Sequence, residues 1–108
     1  MAAARSLWEK GHWRQSLFFA HLGMEKLLKA HFTSQKKEVP PRIHNLKRLA
    51  DMAGLALTPD QKEFLRVFSM YQLEGRYPGS VEVLLDQDST RKELTRAQEM
   101  LEWLIRAL

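Results

Sequence analysis

One segment of the chain, residues 12–33, limits the fold more than any other, because its apolar residues recur at the spacing of an α-helix. Residues three, four and seven positions apart lie on one face of a helix, and a helix with such a face buries it against another element. The stripe consists of Trp13, Leu17, Ala20, Met24, Leu27, Leu28 and His31, and is widened by Phe18, Phe19 and Leu22. The segment therefore predicts a long amphipathic helix.

Glycine and proline divide the neighbouring sequence into further segments. Residues 2–10 favour a short helix that Gly11 ends. Pro40 and Pro41 require a loop, because proline lacks the backbone N–H donor and restricts the residue before it. Asn45 is a suitable N-cap residue for a third helix of about two turns.

Two further helix starts follow in the second half of the chain. Thr58 is an N-cap candidate, with Pro59 at the first helical position. Thr90 and Glu93 have the spacing of a capping box and precede a narrow apolar seam. The sequence thus predicts an all-α, antiparallel up-and-down bundle of four to five helices, forming one domain over residues 1–108.

Composition excludes several classes of function. The chain of 108 residues contains no cysteine, which removes disulfides, thiolate zinc sites and cysteine nucleophiles. No apolar run approaches the twenty or so residues that cross a bilayer, and no secretory leader is recognisable. We therefore expect a cytoplasmic protein that does not enter a membrane.

Charge is unevenly distributed along the chain. Residues 1–48 contain ten lysines and arginines against three acidic residues, whereas residues 49–108 contain seven against ten. A basic half can attract phosphates or an acidic partner, and a solvated helix face has the same composition. Both interpretations are open at this stage.

Three stretches of the sequence occur in a fixed order: "SLFFAHLGMEKLLKAHF", "HNLKRLA" and "YQLEGRYP". Together they resemble the signature of the HEPN domain family, the higher eukaryotes and prokaryotes nucleotide-binding domain. The most specific features are the Glu25-Lys26 pair, His44 and the run Arg76-Tyr77-Pro78. The resemblance implies an up-and-down bundle, a homodimer, and a minimal nucleotidyltransferase as partner in a toxin–antitoxin-like or related system.

The ribonuclease branch of that family carries an arginine, four to six intervening residues and a histidine on a later helix. Arg76 lies in the corresponding region, but no histidine follows it, since the last histidine is His44. The bare spacing occurs only from Arg5 to His12 and from Arg14 to His21, near the start of the chain. Catalytic residues are therefore not assigned, and modification of Tyr77 by a nucleotidyltransferase cannot be carried over.

The long helix offers one polar stripe as a candidate ligand site. Arg14, His21 and Glu25 lie nearly in line, because they are seven and four residues apart, and Lys29 continues the line. The stripe either lines a cleft or is a solvated flank in which Glu25 pairs with His21 and Lys29.

A second candidate lies in the loop before the third helix. His44 and Arg42 precede a helix N-terminus, where backbone N–H groups favour anions. They either bind a phosphate, or His44 fixes the loop by packing or hydrogen bonding. A metal site is not predicted, because the four histidines lack a close pair with a carboxylate on the same face.

The third candidate is the pair Arg76 and Tyr77. A guanidinium fork can grip phosphate, and a tyrosine ring can stack on a base or donate its hydroxyl. Alternatively, Tyr77 plugs the end of the bundle while Arg76 bonds to helix-end carbonyls. Gly79 stands where family members commonly have an acidic residue.

The apolar surface exceeds what one small helical layer hides, so it either forms a homodimer interface or packs into the core, and the family resemblance favours the homodimer. Together these features predict a nucleotide- or RNA-phosphate-binding module that acts with a nucleotidyltransferase partner and needs no cofactor or metal. The alternatives are a metal-independent ribonuclease toxin and an interaction subunit without a ligand. The predicted ligand-binding residues are Arg76, Tyr77, His44, Arg42, Lys29, His21 and Glu25.

Overall fold

A computed structural model describes residues 2–69 and 87–108, and in them every regular element is an α-helix. The helices are α1 (Ala2–Glu9), α2 (Trp13–Lys36), α3 (Leu46–Met52), α4 (Pro59–Phe68) and α5 (Gln87–Ala107). The predicted all-α class and helical bundle are confirmed.

The long helix α2 is the centre of the bundle. It packs against α1, α3 and α5, while α4 packs against α3. His31 on α2 contacts Leu104 on α5, and Gly23 lines the same groove as Gln98, so α2 and α5 run in the same direction. The buried apolar residues around α2 are Ala4, Leu17, Ala20, Met24, Leu28, Leu46, Leu49, Ala50, Phe64, Leu65, Phe68, Leu94, Ala97, Met100 and Leu104.

The turn between α1 and α2 needs its glycine. Gly11 has φ +81°, and its N–H donates to the Trp8 carbonyl at 3.0 Å, while the His12 N–H donates to the Leu7 carbonyl at 2.8 Å. This pair of bonds is the Schellman arrangement, in which a left-handed residue satisfies the last carbonyls of a helix. Gly11 thus ends α1, as the sequence predicts, and turns the chain into α2.

The starts of α3 and α4 confirm two predicted caps. Asn45 Oδ1 accepts a hydrogen bond from the Arg48 N–H at 3.0 Å. Thr58 Oγ1 accepts from the Gln61 N–H at 3.1 Å, and Gln61 Oε1 accepts from the Thr58 N–H at 2.9 Å, which completes a capping box around Pro59. These bonds satisfy backbone donors that a helix leaves free at its start.

Two predicted boundaries are wrong. Gln87 is already helical, so Thr90 lies inside α5 with its side chain buried and cannot be the N-cap of that helix. The capping-box spacing of Thr90 and Glu93 arises here within a helix. The second boundary is the end of α2, which continues past Thr33 to Lys36. The sequence does not predict this extension, because the polar residues there show no apolar periodicity.

Candidate functional site

Three of the predicted ligand residues converge on the carboxylate of a fourth, Glu25. Glu25 Oε1 lies 2.9 Å from His44 Nδ1, and Glu25 Oε2 lies 3.1 Å from Lys29 Nζ. His21 Nδ1 lies 4.0 Å from Glu25 Oε1. The structure therefore joins the polar stripe of α2 to the loop before α3, and we call His21, Glu25, Lys29 and His44 the Glu25 cluster.

Local helix geometry explains the three residues from α2. His21, Glu25 and Lys29 are spaced four residues apart, so each side chain lies one turn above the last. His44 comes from a separate segment and needs tertiary contacts to reach them. Burial of Leu46, two residues later, and the Asn45 cap fix the start of α3 and with it the position of His44.

Two residues at the end of α4 contact the Glu25 cluster or the start of α3. Ser69 Oγ accepts a hydrogen bond from the Leu46 N–H at 2.9 Å and donates to the Leu65 carbonyl at 3.0 Å. Phe68 stacks on His21 with ring centroids 6.4 Å apart and an angle of 16° between the rings. Sequence reasoning missed both contacts, because neither residue carries a signal that names its partner.

Glu25 is ionised at neutral pH. Burial raises the pKa of this carboxyl group, but hydrogen bonds from His44 and Lys29 and their positive charges outweigh burial and hold the pKa below its ordinary value. An ionised carboxylate only accepts hydrogen bonds, so Nδ1 of His44 carries a hydrogen atom and donates the hydrogen bond to Oε1. Nε2 of a neutral His44 is then an acceptor.

His21 lies behind Glu25 and away from solvent. Its side chain is 2% exposed, and burial lowers its pKa to about 4 despite the attraction of Glu25. The ring is therefore neutral at pH 7. No described residue forms a hydrogen bond with His21 Nε2.

Ligand access differs across the cluster. The side chain of His44 is 54% exposed, whereas that of Glu25 is 9% exposed, so Glu25 orients groups that a ligand can reach. Lys29 is partly exposed. Arg42, two residues before His44, is exposed and makes no ion pair with any described residue.

Some predicted residues remain untested by the structure. Arg76 and Tyr77 lie outside the described residues, as does the side chain of Arg14, so their roles stay predictions. Arg5, the first arginine with the bare ribonuclease spacing, donates from Nε to Gln98 Oε1 at 3.0 Å. That bond ties α1 to α5 and gives Arg5 a structural role.

The two segments that carry the cluster are rich in basic residues. Residues 25–48 contain seven lysines and arginines against two glutamates. Lys29 is paired with Glu25, and Lys47 with Asp51 at 3.1 Å. The other five basic side chains are exposed and form no ion pair within the described part of the chain; they are Lys26, Lys36, Lys37, Arg42 and Arg48.

His31 has a structural partner that sequence reasoning also missed. Its Nε2 lies 2.7 Å from the carbonyl oxygen of Leu104 in the last turn of α5. The imidazole donates to that carbonyl, since a carbonyl oxygen can only accept. The apolar stripe of α2 predicted that His31 is buried, and it is.

Comparison with protein-family models matches the HEPN domain over residues 1–108. The chain belongs to the HEPN family. The two segments of this HEPN protein that carry Glu25 and His44 are among those on which the resemblance rested, and the structure brings them into contact. Searches among curated proteins and solved structures gave no match.

Within residues 2–69 and 87–108, no group of three or more His, Asp or Glu side chains could hold a metal ion. In the same residues, no helix has the length and apolar character to cross a bilayer.

Proposed function

We propose that this HEPN chain is a nucleotide- or RNA-phosphate-binding module that acts with a nucleotidyltransferase partner. The observation that supports it best is the set of exposed lysine and arginine side chains in residues 25–48, the segments that carry the Glu25 cluster, that form no ion pair with a described residue. Phosphate groups bind where several lysine and arginine side chains lie close together and free of internal partners. Lys29 and His44 belong to the cluster and Arg42 is two residues from His44 in the sequence, and these three side chains are the proposed phosphate donors.

Glu25 has an orienting part in this proposal. A carboxylate at the centre of a phosphate site would repel the ligand if it were exposed and unpaired. Glu25 is largely buried, and its two oxygens are occupied by His44 and Lys29. It therefore fixes two cationic or hydrogen-bonding side chains while its own charge is neutralised.

Titration with nucleoside triphosphates and a short single-stranded RNA tests the binding proposal. We expect saturable binding, a higher melting temperature, and an affinity that falls as salt rises, because bound phosphates release counterions. Arg42→Ala should weaken binding and reduce the salt dependence by about one phosphate contact. Lys62→Ala, at an exposed position on α4, is the matched control and should bind as the native chain does.

The partner requires a separate measurement. Where a minimal nucleotidyltransferase is encoded beside this gene, co-expression should give a complex that survives purification. Binding of nucleotide or RNA without such a complex would leave the ligand proposal standing and remove the partner. Neither binding nor stabilisation at millimolar ligand would favour the interaction subunit instead.

One contact favours the ribonuclease as a second candidate. The bond from His44 Nδ1 to the ionised Glu25 orients the imidazole and leaves Nε2 as an acceptor on an exposed side chain. Such a nitrogen can take the proton of an RNA 2′-hydroxyl while the 2′-oxygen attacks phosphorus and the 5′-oxygen leaves with a proton from water. Lys29 or Arg42 would stabilise the phosphorane.

Metal-free cleavage separates the two candidates. The binding module predicts that RNA stays intact in the presence of EDTA. The ribonuclease predicts cleavage that ends in 2′,3′-cyclic phosphates and is lost in His44→Ala. Lys62→Ala, which changes the exposed lysine on α4, serves as the control for cleavage as well.

A further inference from the structure

A hollow of about 530 Å³ lies beside the Glu25 cluster, between the second half of α2, the loop after it and the end of α5. Lys29 lines this hollow, and its Nζ atom lies 3.1 Å from Glu25 Oε2. The hollow is therefore continuous with the candidate phosphate site, and we call it the Lys29 hollow. Its other lining residues are Lys26, Ala30, Thr33, Ser34, Pro40 and Leu108.

Two ammonium groups border one side of the Lys29 hollow. Lys26 and Lys29 are three residues apart on α2, so their side chains are neighbours on the helix surface. Lys26 is exposed and forms no ion pair with a described residue. No aspartate or glutamate is among the described residues that line the hollow, so its own charge is positive.

The rest of the hollow is uncharged. Ala30, Pro40 and Leu108 offer apolar surface. Thr33 and Ser34 are exposed, and neither hydroxyl group forms a hydrogen bond with another described residue. A nucleobase has two apolar faces that gain from contact with such surface, and an edge of donors and acceptors that a hydroxyl group can serve in either role. The hollow thus offers the two kinds of contact that a base needs.

A second pocket, of about 280 Å³ between α4 and α5, is less suited to a nucleotide. Phe64 and Trp103 line it together with two arginines, but Asp60 and Glu99 offset the charge of those arginines. It shares no residue with the Lys29 hollow or with the Glu25 cluster, so a phosphate bound there would be separate from the candidate site. Of these two, only the Lys29 hollow continues from the proposed phosphate donors to an uncharged surface.

We propose that the Lys29 hollow binds the nucleoside of a nucleotide whose phosphates lie on Lys29 and Lys26. The inference rests on the proposed function and adds to it a contact for the part of the ligand that carries no charge. The base lies against Ala30 and Pro40, with its edge at Thr33. A purine covers more apolar surface than a pyrimidine does, and it therefore binds more tightly.

Calorimetric titration of the full chain with ATP and with inorganic tripolyphosphate, both in the presence of EDTA, tests the hollow. The two probes share a triphosphate chain, and tripolyphosphate carries no less negative charge. Phosphate contacts alone would therefore bind tripolyphosphate as tightly as ATP. We expect ATP to bind at least about tenfold more tightly, because its base covers apolar surface, and CTP to lie between the two.

Filling the hollow should abolish this difference. Ala30 is exposed, and Ala30→Leu places a larger side chain in the hollow while leucine keeps a high helix propensity. The affinity for ATP should fall to that for tripolyphosphate, which should not change. Ala3→Leu makes the same substitution at an exposed position on α1 and should bind both probes as the native chain does. Full ATP affinity in Ala30→Leu would contradict the proposal.

The hydroxyl contact has its own test. Thr33→Val keeps the shape of the side chain and removes its hydrogen-bonding group, so the affinity for ATP should fall about threefold while tripolyphosphate binds as before. Thr95→Val makes the same change on α5 and should leave both affinities unchanged. An unchanged affinity for ATP in Thr33→Val, or an equal loss for both probes, would overturn the contact of Thr33 with the base.

The outcomes separate this inference from the proposed function on which it rests. Equal binding of ATP and tripolyphosphate would leave a phosphate site and overturn the base subsite alone. Binding of neither probe nor of a short oligoadenylate at millimolar concentration would overturn both. Where Ala30→Leu weakens oligoadenylate and ATP alike, the hollow receives the base of an RNA strand as well. A loss for ATP alone assigns the hollow to free nucleotides.

Discussion

Glu25 and His44 are nineteen residues apart in sequence, and their side chains form a 2.9 Å hydrogen bond that joins α2 to the loop before α3. The bond involves an ionised carboxylate with 9% exposure and a histidine with 54% exposure. A charge-assisted bond to a largely buried carboxylate is stronger than one between two solvated groups. The position of His44, and thus the shape of the candidate site, depends on it.

A double-mutant cycle measures this bond. Because the bond is charge-assisted and half desolvated, we expect Glu25→Ala and His44→Ala to show a coupling free energy of about 1 kcal/mol in urea unfolding at pH 7. The control is the exposed pair Lys47 and Asp51, joined at 3.1 Å, for which the coupling should be about 0.3 kcal/mol. Equal coupling in the two cycles would mean that His44 does not hold Glu25 in solution.

The buried His21 predicts how stability depends on pH. Burial lowers its pKa from 6.5 to about 4 in the folded chain. Between pH 4 and pH 6.5, the imidazole is therefore protonated in the unfolded chain and neutral in the folded chain. The contribution of His21 to the free energy of unfolding is fully present above pH 6.5 and is lost as the pH falls towards 4. At about 1.4 kcal/mol per pH unit, the free energy of unfolding should fall by about 3 kcal/mol.

Comparison with His21→Phe isolates that contribution, since the phenyl ring keeps the stack on Phe68 and does not titrate. The variant should lose less stability than the native chain between pH 6.5 and 4. Glu25 and Glu93 also make stability depend on pH, because the pKa of Glu25 lies below its ordinary value and burial raises the pKa of Glu93 against the attraction of Arg96. Both residues are present in the two chains, so the comparison isolates His21. His12→Gln, at an exposed position, should keep the native dependence. Parallel curves for the native chain and His21→Phe would contradict a buried neutral His21.

The sequence predicted the parts of the fold that depend on local geometry. Helical spacing located α2, and the caps at Asn45 and Thr58 follow from side chains that bond to backbone two or three residues away. The start of α5 was predicted wrongly because a threonine followed three residues later by a glutamate also occurs inside a helix. Only a backbone trace distinguishes the two cases.

The same distinction applies to the candidate site. The spacing of His21, Glu25 and Lys29 on one helix is enough to place them together. The contact of Glu25 with His44, and the support from Ser69, depend on how α3 and α4 pack, which no short-range pattern encodes. Arg76 and Tyr77 remain predictions that only a ligand-binding measurement can test.

His31 should be important for stability although it lies far from the Glu25 cluster. Its hydrogen bond to the Leu104 carbonyl satisfies an acceptor in the last turn of α5, where no later N–H of the helix is available. His31→Leu should cost about 1–3 kcal/mol in urea unfolding, because a buried carbonyl then has no partner. His31→Gln, which can still donate to the carbonyl, should recover part of this loss.

The capping box at the start of α4 gives a prediction with a matched internal control. Thr58→Ala removes the acceptor for the Gln61 N–H and should lower the free energy of unfolding by about 1 kcal/mol. Thr95 is also an exposed threonine, but its hydroxyl donates to the Arg91 carbonyl within α5, where alanine is the better helix former. Thr95→Ala should therefore be neutral or slightly stabilising by the same urea measurement. A loss at Thr95 equal to that at Thr58 would show that the effect comes from removing any threonine rather than from the cap.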